Sequence, residues 1–332
     1  MIVGIFHPPI RLESFGGSLA VTVSIVNSLV ENGYNVILFV RDKINQQKLS
    51  NVMGEALSNR IMVVVKPSIL KSRSIINLYE NAFKLLAFRL KCEIIIDTYS
   101  NYIFPWTDVC YIHFPYINNF RFKQKFPYLA KREGIVNDII NLPYIFFEKN
   151  FEKYEQKLLL ANSEFTSKAI KESIGADAKI LYPPVSTSFL EALNIYGKGQ
   201  RENLVVTVGR IAADKRLEAI PVIANLLREK NVQFVIIGLL HNKETLKKLN
   251  AEIEKFGLIE KIKVLTNVPR EELKKILGKA KVYLHPPTIE HFGISIAEAM
   301  ALGCIPVVYH IGGAKEYTPK DFVYKNLQEA AE

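Results

Sequence analysis

One run of the sequence combines a strand, a loop, a helix and a second strand: Leu284-His-Pro-Pro-Thr-Ile-Glu-His-Phe-Gly-Ile-Ser-Ile-Ala-Glu-Ala-Met-Ala-Leu-Gly-Cys-Ile-Pro-Val-Val308. Glu290 falls in the predicted loop, and Phe292 and Gly293 form the turn into the helix. Glu298 lies within the helix, which has ~3.6 residues per turn. The N–H groups of the first helical turn can bind an anion. With a carboxylate on each side of these groups, the run predicts a site for the phosphates and hydroxyls of a nucleotide sugar.

Strands and helices alternate over the rest of the chain. Short aliphatic runs predict a first series of strands at 1–6, 35–40, 61–65, 93–97, 109–113, 158–162 and 179–182. A second series is predicted at 204–208, 232–237, 262–265, 281–285 and 305–308. Such alternation is typical of α/β folds with parallel sheets covered by helices on both faces. Two open sheets of this kind would bind ligands in a cleft at the carboxyl ends of their strands.

The alternation is interrupted at Tyr182-Pro-Pro-Val-Ser186, and the polar stretch 194–202 follows. The chain of 332 residues is long enough for two domains. We therefore predict an N-terminal domain over 1–185, a linker over 186–202 and a C-terminal domain over 203–332. The last residues, 326–332, begin to look helical, so any final helix is expected to be short or truncated.

Composition restricts the class of protein. The net charge of +10 favours anionic partners, namely nucleic acid, phosphorylated substrates or an acidic membrane surface. The cysteines Cys92, Cys110 and Cys304 are widely spaced, which argues against a disulfide framework or a zinc site and predicts buried thiols. No Gly-x-Gly-x-x-Gly follows a predicted strand, which argues against a nicotinamide dinucleotide site, and the absence of a Gly-x4-Gly-Lys-Ser/Thr signature argues against a P-loop enzyme. No apolar run is long enough to predict a transmembrane helix.

Two cations follow the first predicted strand of the second domain, in Val208-Gly-Arg-Ile-Ala-Ala-Asp-Lys-Arg216. Arg210 and Lys215 would lie around a tight loop at the end of that strand. Two positive charges there can hold a diphosphate and stabilise it as a leaving group. The alternative is an ordinary solvated loop.

Two further motifs lie in the first domain. In Ser14-Phe-Gly-Gly-Ser18, Gly16 and Gly17 would let the backbone approach a ligand closely at a helix N-terminus, although a simple turn is the alternative. In Cys110-Tyr-Ile-His-Phe-Pro-Tyr116, His113 lies at a predicted strand end, where ligand-binding residues sit. The alternative for His113 is a core residue with its hydrogen bonds satisfied.

The segment 119–132 mixes basic and aromatic side chains, including Arg121, Lys123, Lys125 and Lys131. This composition suits a membrane interface with anionic lipids. It would also suit single-stranded nucleic acid, or a helical lid whose aromatic residues pack inward. We favour the membrane and expect no nucleic-acid partner. Farther along, Ser163 is a candidate helix N-cap, and Asn162 and its neighbours are expected to be structural.

The 284–308 run resembles the signature of retaining GT-B glycosyltransferases of family 4, the glycosyl transferases group 1. A second motif, His113-Phe-Pro115 in the first half of the chain, is similar to one in the dolichol-linked-oligosaccharide α-1,2-mannosyltransferases of that family. The resemblance implies a GT-B fold, with two facing Rossmann-like domains and a cleft between them. It also implies roles for the residues that match the family motifs. Arg210 and Lys215 would contact the diphosphate, His113 and Glu290 the sugar, and Glu298 the ribose. Further contacts with the donor would come from Gly16, Gly17, Phe292, Gly293 and Ile294. Glu316, after Gly312-Gly313, is another candidate, with a simple turn as the alternative.

The function implied by this resemblance is retaining, metal-independent transfer of a hexose, with mannose favoured. The donor would be a GDP-sugar or UDP-sugar, and no cofactor or metal is expected. The acceptor would be a polyprenyl- or dolichyl-linked saccharide at the cytosolic face of a membrane, with the enzyme bound peripherally. The alternatives are a soluble transferase that makes a small glycoside and a nucleotide-sugar-binding protein without turnover.

Overall fold

A computed structural model describes residues 1–7, 17–40, 60–65, 76–115, 157–197 and 199–332. The chain divides into two compact units, Met1–Pro183 and Pro184–Glu332. Each unit is built on one parallel sheet, so the α/β class predicted from the sequence is confirmed. None of the described helices is long and apolar enough to cross a membrane.

The first unit contains a seven-stranded sheet in the order β3-β2-β1-β4-β5-β6-β7. Its strands are β1 Ile2–Phe6, β2 Asn35–Val40, β3 Ile61–Val65, β4 Ile94–Asp97, β5 Val109–Ile112, β6 Leu158–Ala161 and β7 Lys179–Ile180. The described helices are α1 Gly17–Glu31, α2 Ile76–Arg89 and α3 Glu164–Ile174. The chain adds strands on one side of β1 and then on the other, so the strand order reverses between β1 and β4.

The central strand of this sheet is buried on both faces. Ile5 packs in a cluster with Val26 of α1, whereas the next residue, Phe6, packs with Phe39 and with Phe88 of α2. Successive side chains of a strand point to opposite faces. Helices cover both faces, and for this reason β1 is a continuous apolar run and not an alternating one.

The second unit contains a six-stranded parallel sheet in the order β10-β9-β8-β11-β12-β13. Its strands are β8 Glu202–Ile211, β9 Gln233–Leu240, β10 Ile262–Thr266, β11 Ala280–Leu284, β12 Ile305–Tyr309 and β13 Val323–Tyr324. Its helices are α4 Thr187–Tyr196, α5 Ala219–Leu226, α6 Lys243–Lys255, α7 Arg270–Lys279, α8 Ile294–Ala301 and α9 Leu327–Ala331. The strand order reverses between β8 and β11.

The stretch predicted as a linker, 186–202, contains the helix α4, and the boundary between the two units lies just before it, between Pro183 and Pro184. Phe189 and Ala192 lie three residues apart on this helix and are buried in a core cluster of the second unit. The helix ends at Gly197, whose N–H donates to the carbonyl of Leu193. The flanking Pro183-Pro184 and Gly197 are typical of a linker, and for this reason the sequence did not predict this short amphipathic helix.

Candidate functional site

The switch point of the second sheet gathers the predicted donor-site residues. In parallel sheets of this type, ligands bind outside the carboxyl ends of the strands where the strand order reverses. Arg210 lies near the end of β8, and Lys215 ends a short 3₁₀ turn that follows it. Glu290 lies between the end of β11 and the start of α8. All three residues therefore lie at or just beyond the ends of neighbouring strands of this sheet, at its carboxyl edge, and their shared role in a donor site stays a prediction.

Lys215 and Glu290 form an ion pair, with the ammonium donating to Oε1 of the carboxylate. Both side chains are mostly buried, at 19% and 23% exposure. Burial alone would raise the pKa of Glu290, but the charge of Lys215 and the imidazole of His285 more than offset it, so this pKa lies below its ordinary value. Glu290 is therefore ionised at neutral pH and offers carboxylate oxygens as acceptors.

The Glu290 loop is held by the two glycines that follow β12. The N–H of Gly313 donates to the carbonyl of Glu290 at 2.8 Å. Gly312 has φ of 125°, a region that side chains rarely allow, and a Cβ there would lie 2.3 Å from the carbonyl oxygen of Glu290. This close backbone approach explains why glycine stands at position 312. Glu316 ends the 3₁₀ turn that begins at Gly313, and its predicted role remains a prediction.

Gly293 makes the turn into α8 with φ of 91°. The hydroxyl of Tyr317 donates to the carbonyl of Phe292 at 2.7 Å and lies 3.0 Å from that of Gly293, which fixes the turn from outside the motif. The N–H groups of Ile294 and Ser295 belong to the first turn, so they have no intrahelical acceptor. The turn therefore presents N–H donors that follow Glu290 in the chain by four and five residues.

Glu298 is buried within α8 and is paired with Arg270, which opens α7. Nη2 of Arg270 lies 2.8 Å from Oε1 of Glu298. Burial raises the pKa of Glu298, and the guanidinium opposes but does not cancel this rise. Sequence reasoning missed Arg270, although its position directly after Pro269 at the start of a predicted helix could have drawn attention to it.

Arg210 differs from Lys215 in its surroundings. Its guanidinium pairs with Asp214 at 2.8 Å, and its side chain is 46% exposed. Asp214 is also exposed, so the ion pair is solvated and weak, and a ligand anion can replace Asp214 as the partner of Arg210. A diphosphate that enters the site can therefore recruit Arg210 at little cost.

His285 lies directly after β11 and was not singled out from the sequence. Its ring is buried, and neither ring nitrogen has a hydrogen-bond partner among the described residues. Burial lowers the pKa of His285 to about 4, which keeps the ring neutral at physiological pH. Its backbone carbonyl accepts a hydrogen bond from the hydroxyl of Tyr324 at 2.6 Å, and this bond ties β11 to β13.

His113 lies just beyond the carboxyl end of β5 in the first unit. Its Nε2 donates to the carbonyl of Thr98 at 2.9 Å, since a carbonyl only accepts. Burial lowers the pKa of His113, so the ring is neutral and its Nδ1 keeps a lone pair. The backbone of His113 is held as well, because Asn162 and Thr166 donate to its carbonyl. Asn162 and Thr166, expected to be structural, thus position a candidate site residue.

A buried hydrogen-bond network lies at the switch point of the first sheet. Nδ1 of His7 is 2.8 Å from the hydroxyl of Thr22 and 3.2 Å from that of Thr98, and the two hydroxyls are 2.8 Å apart. Burial, with His113 nearby, lowers the pKa of His7 to about 3. The network therefore joins β1, α1 and β4 through neutral groups.

Several predicted residues lie outside the part of the chain that the structure describes. These are Gly16 and the basic residues Arg121, Lys123, Lys125 and Lys131. Gly17 begins α1, as the predicted start of a helix requires. Among the described residues, no group of three or more His, Cys, Asp or Glu side chains could hold a metal ion. The three cysteines are free and buried, as predicted.

Comparison with known families decides the class of the second unit. Residues 189–324 match the family described as glycosyl transferases group 1. The second unit carries a glycosyl transferases group 1 domain. This group 1 domain includes the whole Lys215–Glu290 site together with Arg210, Arg270 and Glu298.

Two relatives and one solved structure extend the comparison. A GDP-Man:Man(3)GlcNAc(2)-PP-Dol alpha-1,2-mannosyltransferase of Dictyostelium discoideum is 25% identical over 262 residues, which is 68% of this chain and 51% of that protein. A protein of the same description in Xenopus laevis is 31% identical over 237 residues, or 62% of this chain and 47% of that protein. The chain therefore spans about half the length of these relatives. The family resemblance inferred from the motifs is confirmed.

A crystal structure of a glycosyltransferase from Rickettsia africae superimposes with a TM-score of 0.69 at 14% identity, covering 99% of this chain and 86% of the other. At this identity the likeness shows the fold alone. It confirms the GT-B class, in the sense of two parallel-sheet α/β domains.

Proposed function

We propose that this protein transfers mannose from a nucleotide-diphosphate donor, GDP-mannose, to a lipid-linked saccharide. The observation that supports it most directly is the Lys215–Glu290 pair at the switch point of the group 1 domain. A cation for the diphosphate and an ionised carboxylate for sugar hydroxyls are adjacent there. The lipid-linked acceptor and the mannose are supported by what the relatives' names say of those proteins.

In this proposal the ion pair exchanges partners when the donor binds. The ammonium of Lys215 moves from Glu290 to the diphosphate, and Arg210 leaves Asp214 to join it. The carboxylate of Glu290 then accepts hydrogen bonds from the hexose, and Glu298 accepts from the ribose. Once they have exchanged partners, the two cations stabilise the charge that develops on the leaving diphosphate. His113 contacts the hexose with a neutral imidazole, and the transfer retains the anomeric configuration.

The experiment is transfer of labelled mannose from GDP-mannose to a dolichol-linked oligosaccharide by the purified protein, with and without excess EDTA. We expect transfer in both conditions, because Arg210 and Lys215 supply the positive charge that a metal ion would otherwise supply. Loss of transfer on chelation, restored by manganese or magnesium, would contradict metal independence. Transfer to small soluble acceptors alone would favour a soluble transferase. Donor binding with no transfer or hydrolysis would favour a binding protein.

We also propose that the 119–132 segment binds the cytosolic face of an acidic membrane. Reversing the charge of Arg121, Lys123, Lys125 and Lys131 together should strongly reduce flotation with acidic liposomes, because each basic residue near an anionic surface contributes ~1 kcal/mol. The effect should shrink at high salt. Donor binding should be nearly unchanged, since the donor residues lie in the group 1 domain. Flotation equal to that of the wild type at low salt would remove this segment from the membrane contact.

A further inference from the structure

Arg270 contacts both a carboxylate and an aromatic ring. Its Nη2 donates to Oε1 of Glu298 at 2.8 Å, and its Cζ lies 5.1 Å from the centre of the Phe189 ring. Phe189 is fully buried in the core of the second unit, so the ring is a fixed surface. A guanidinium that is both paired and stacked loses little entropy for each bond it makes. Arg270 therefore holds the Glu298 carboxylate in a defined orientation.

The ion pair with Arg270 occupies only one of the two carboxylate oxygens of Glu298. Arg270 bonds to Oε1, whereas Oε2 of Glu298 has no hydrogen-bond partner among the described residues. The Glu298 side chain is 12% exposed, so it is not sealed from a ligand. A carboxylate oxygen in this state is an acceptor for a hydroxyl group. Because the arginine is anchored by Phe189, the direction in which this acceptor points is set by the protein and not by the ligand.

We propose that Arg270 is a positioning residue for nucleotide recognition, which holds Glu298 turned so that Oε2 accepts a ribose hydroxyl of a nucleoside diphosphate. This inference rests on the proposed function, because it takes the ribose of the donor to lie on Glu298. Arg270 itself need not touch the nucleotide. Its effect on affinity should therefore disappear when the ribose hydroxyl is absent.

The ionisation of Glu298 gives the role a pH signature. The groups that face Glu298 are Arg270 and Lys274 on α7 and the hydroxyl of Tyr283 on β11. Burial raises the pKa of Glu298, and Arg270 opposes the rise more strongly than Lys274 does. Without Arg270 the pKa of Glu298 rises further, so protonation of the carboxyl begins at a higher pH. Nucleotide affinity should then fall with decreasing pH sooner in the variant than in the wild type.

The test measures the dissociation constants of GDP, 2′-deoxy-GDP and 3′-deoxy-GDP by calorimetry from about pH 5 to about pH 8, a range that spans carboxyl groups with a raised pKa. UDP and its deoxy forms replace them if UDP binds more tightly. Hydrogen bonds to charged groups are strong, so the wild type should lose roughly ten-fold in affinity when the bonded hydroxyl is removed. Arg270→Gln should lose roughly ten-fold for GDP and little for the deoxy nucleotide.

Two further variants keep the test decisive. Lys279→Gln removes one charge from the other end of α7, where Lys279 pairs with Glu202 at 3.4 Å, and should behave as the wild type. Arg270→Lys keeps the charge and should retain the pH profile of the wild type while losing part of the ribose discrimination, and it stands in for Arg270→Gln if that variant does not fold. Discrimination equal to the wild type in both Arg270 variants would overturn the inference. Wild-type protein that binds GDP and the deoxy nucleotides equally would overturn it too, yet leave the proposed function standing. Wild-type protein that binds neither GDP nor UDP would overturn both.

Discussion

Lys215→Ala should lower the turnover of the donor by roughly 100-fold or more, comparable to the loss of one preorganised charge-stabilising group. The variant loses the cation that would neutralise the leaving diphosphate, and Arg210 alone remains. Arg210→Ala should have an effect of the same order. Initial rates of mannose transfer at saturating donor give the comparison. Lys281→Ala is a matched control, since Lys281 bonds to Asn203 near the amino ends of β8 and β11 and lies away from the site.

Arg210→Ala and Lys215→Ala should differ in their free energy of unfolding. Arg210 is in an exposed pair, so Arg210→Ala should change the free energy of unfolding by ~0–1 kcal/mol. Lys215→Ala leaves the partly buried carboxylate of Glu290 without its partner, which destabilises the fold. The double variant Lys215→Ala/Glu290→Gln removes that unpaired charge and should recover stability without recovering turnover. Wild-type rates in the single variants would remove both cations from the reaction.

Gly312→Ala should abolish most of the activity and lower the free energy of unfolding by about 2 kcal/mol or more. The backbone at Gly312 lies in a region essentially confined to glycine, and such strain costs ~1–3 kcal/mol in other residues. The added Cβ would also meet the carbonyl oxygen of Glu290 at 2.3 Å, so the Glu290 loop must move. Urea unfolding and transfer rates measure the two effects.

Gly257→Ala is the control for Gly312→Ala. Gly257 also has positive φ, at 65°, but a Cβ there meets nothing within 4 Å. It follows α6, away from the site, so its substitution should cost stability alone and leave turnover unchanged. If Gly312→Ala folds and turns over like Gly257→Ala, the close approach to Glu290 has no part in the site.

The sequence predicted most of the fold because buried parallel strands are strong local signals. Every strand from β1 to β12 was expected within a few residues of its observed position. The helix α4 was missed because it is short and Pro183-Pro184 and Gly197 flank it, although Phe189 and Ala192 are buried in the core and Leu193 and Tyr196 pack against it. The strand β13, Val323–Tyr324, was not predicted, because two residues give too little pattern without a longer aliphatic run around them.

The candidate site residues were predicted from motifs, whereas the residues that bond to them and hold them in place were not. Arg210 and Lys215 are marked by their charge at or after the end of a strand, Glu290 by its place in the loop before α8, and Glu298 by its place within α8. Their partners come from elsewhere in the chain: Arg270 is 28 residues from Glu298, and Tyr317 is 24 residues from Gly293. Such contacts depend on strand order, which a single sequence does not contain. The same holds for the network between His7 and Thr98, which lie 91 residues apart.

The most direct test of this account is a crystal structure of the protein with GDP-mannose bound. The account predicts that the diphosphate lies at the switch point between β8 and β11, bonded to Lys215 and Arg210, and that Glu290 has exchanged Lys215 for a hydroxyl of the hexose. It predicts a ribose hydroxyl on Oε2 of Glu298, with Arg270 still on Oε1. A bound donor elsewhere in the chain, with Lys215 still paired to Glu290, would contradict it.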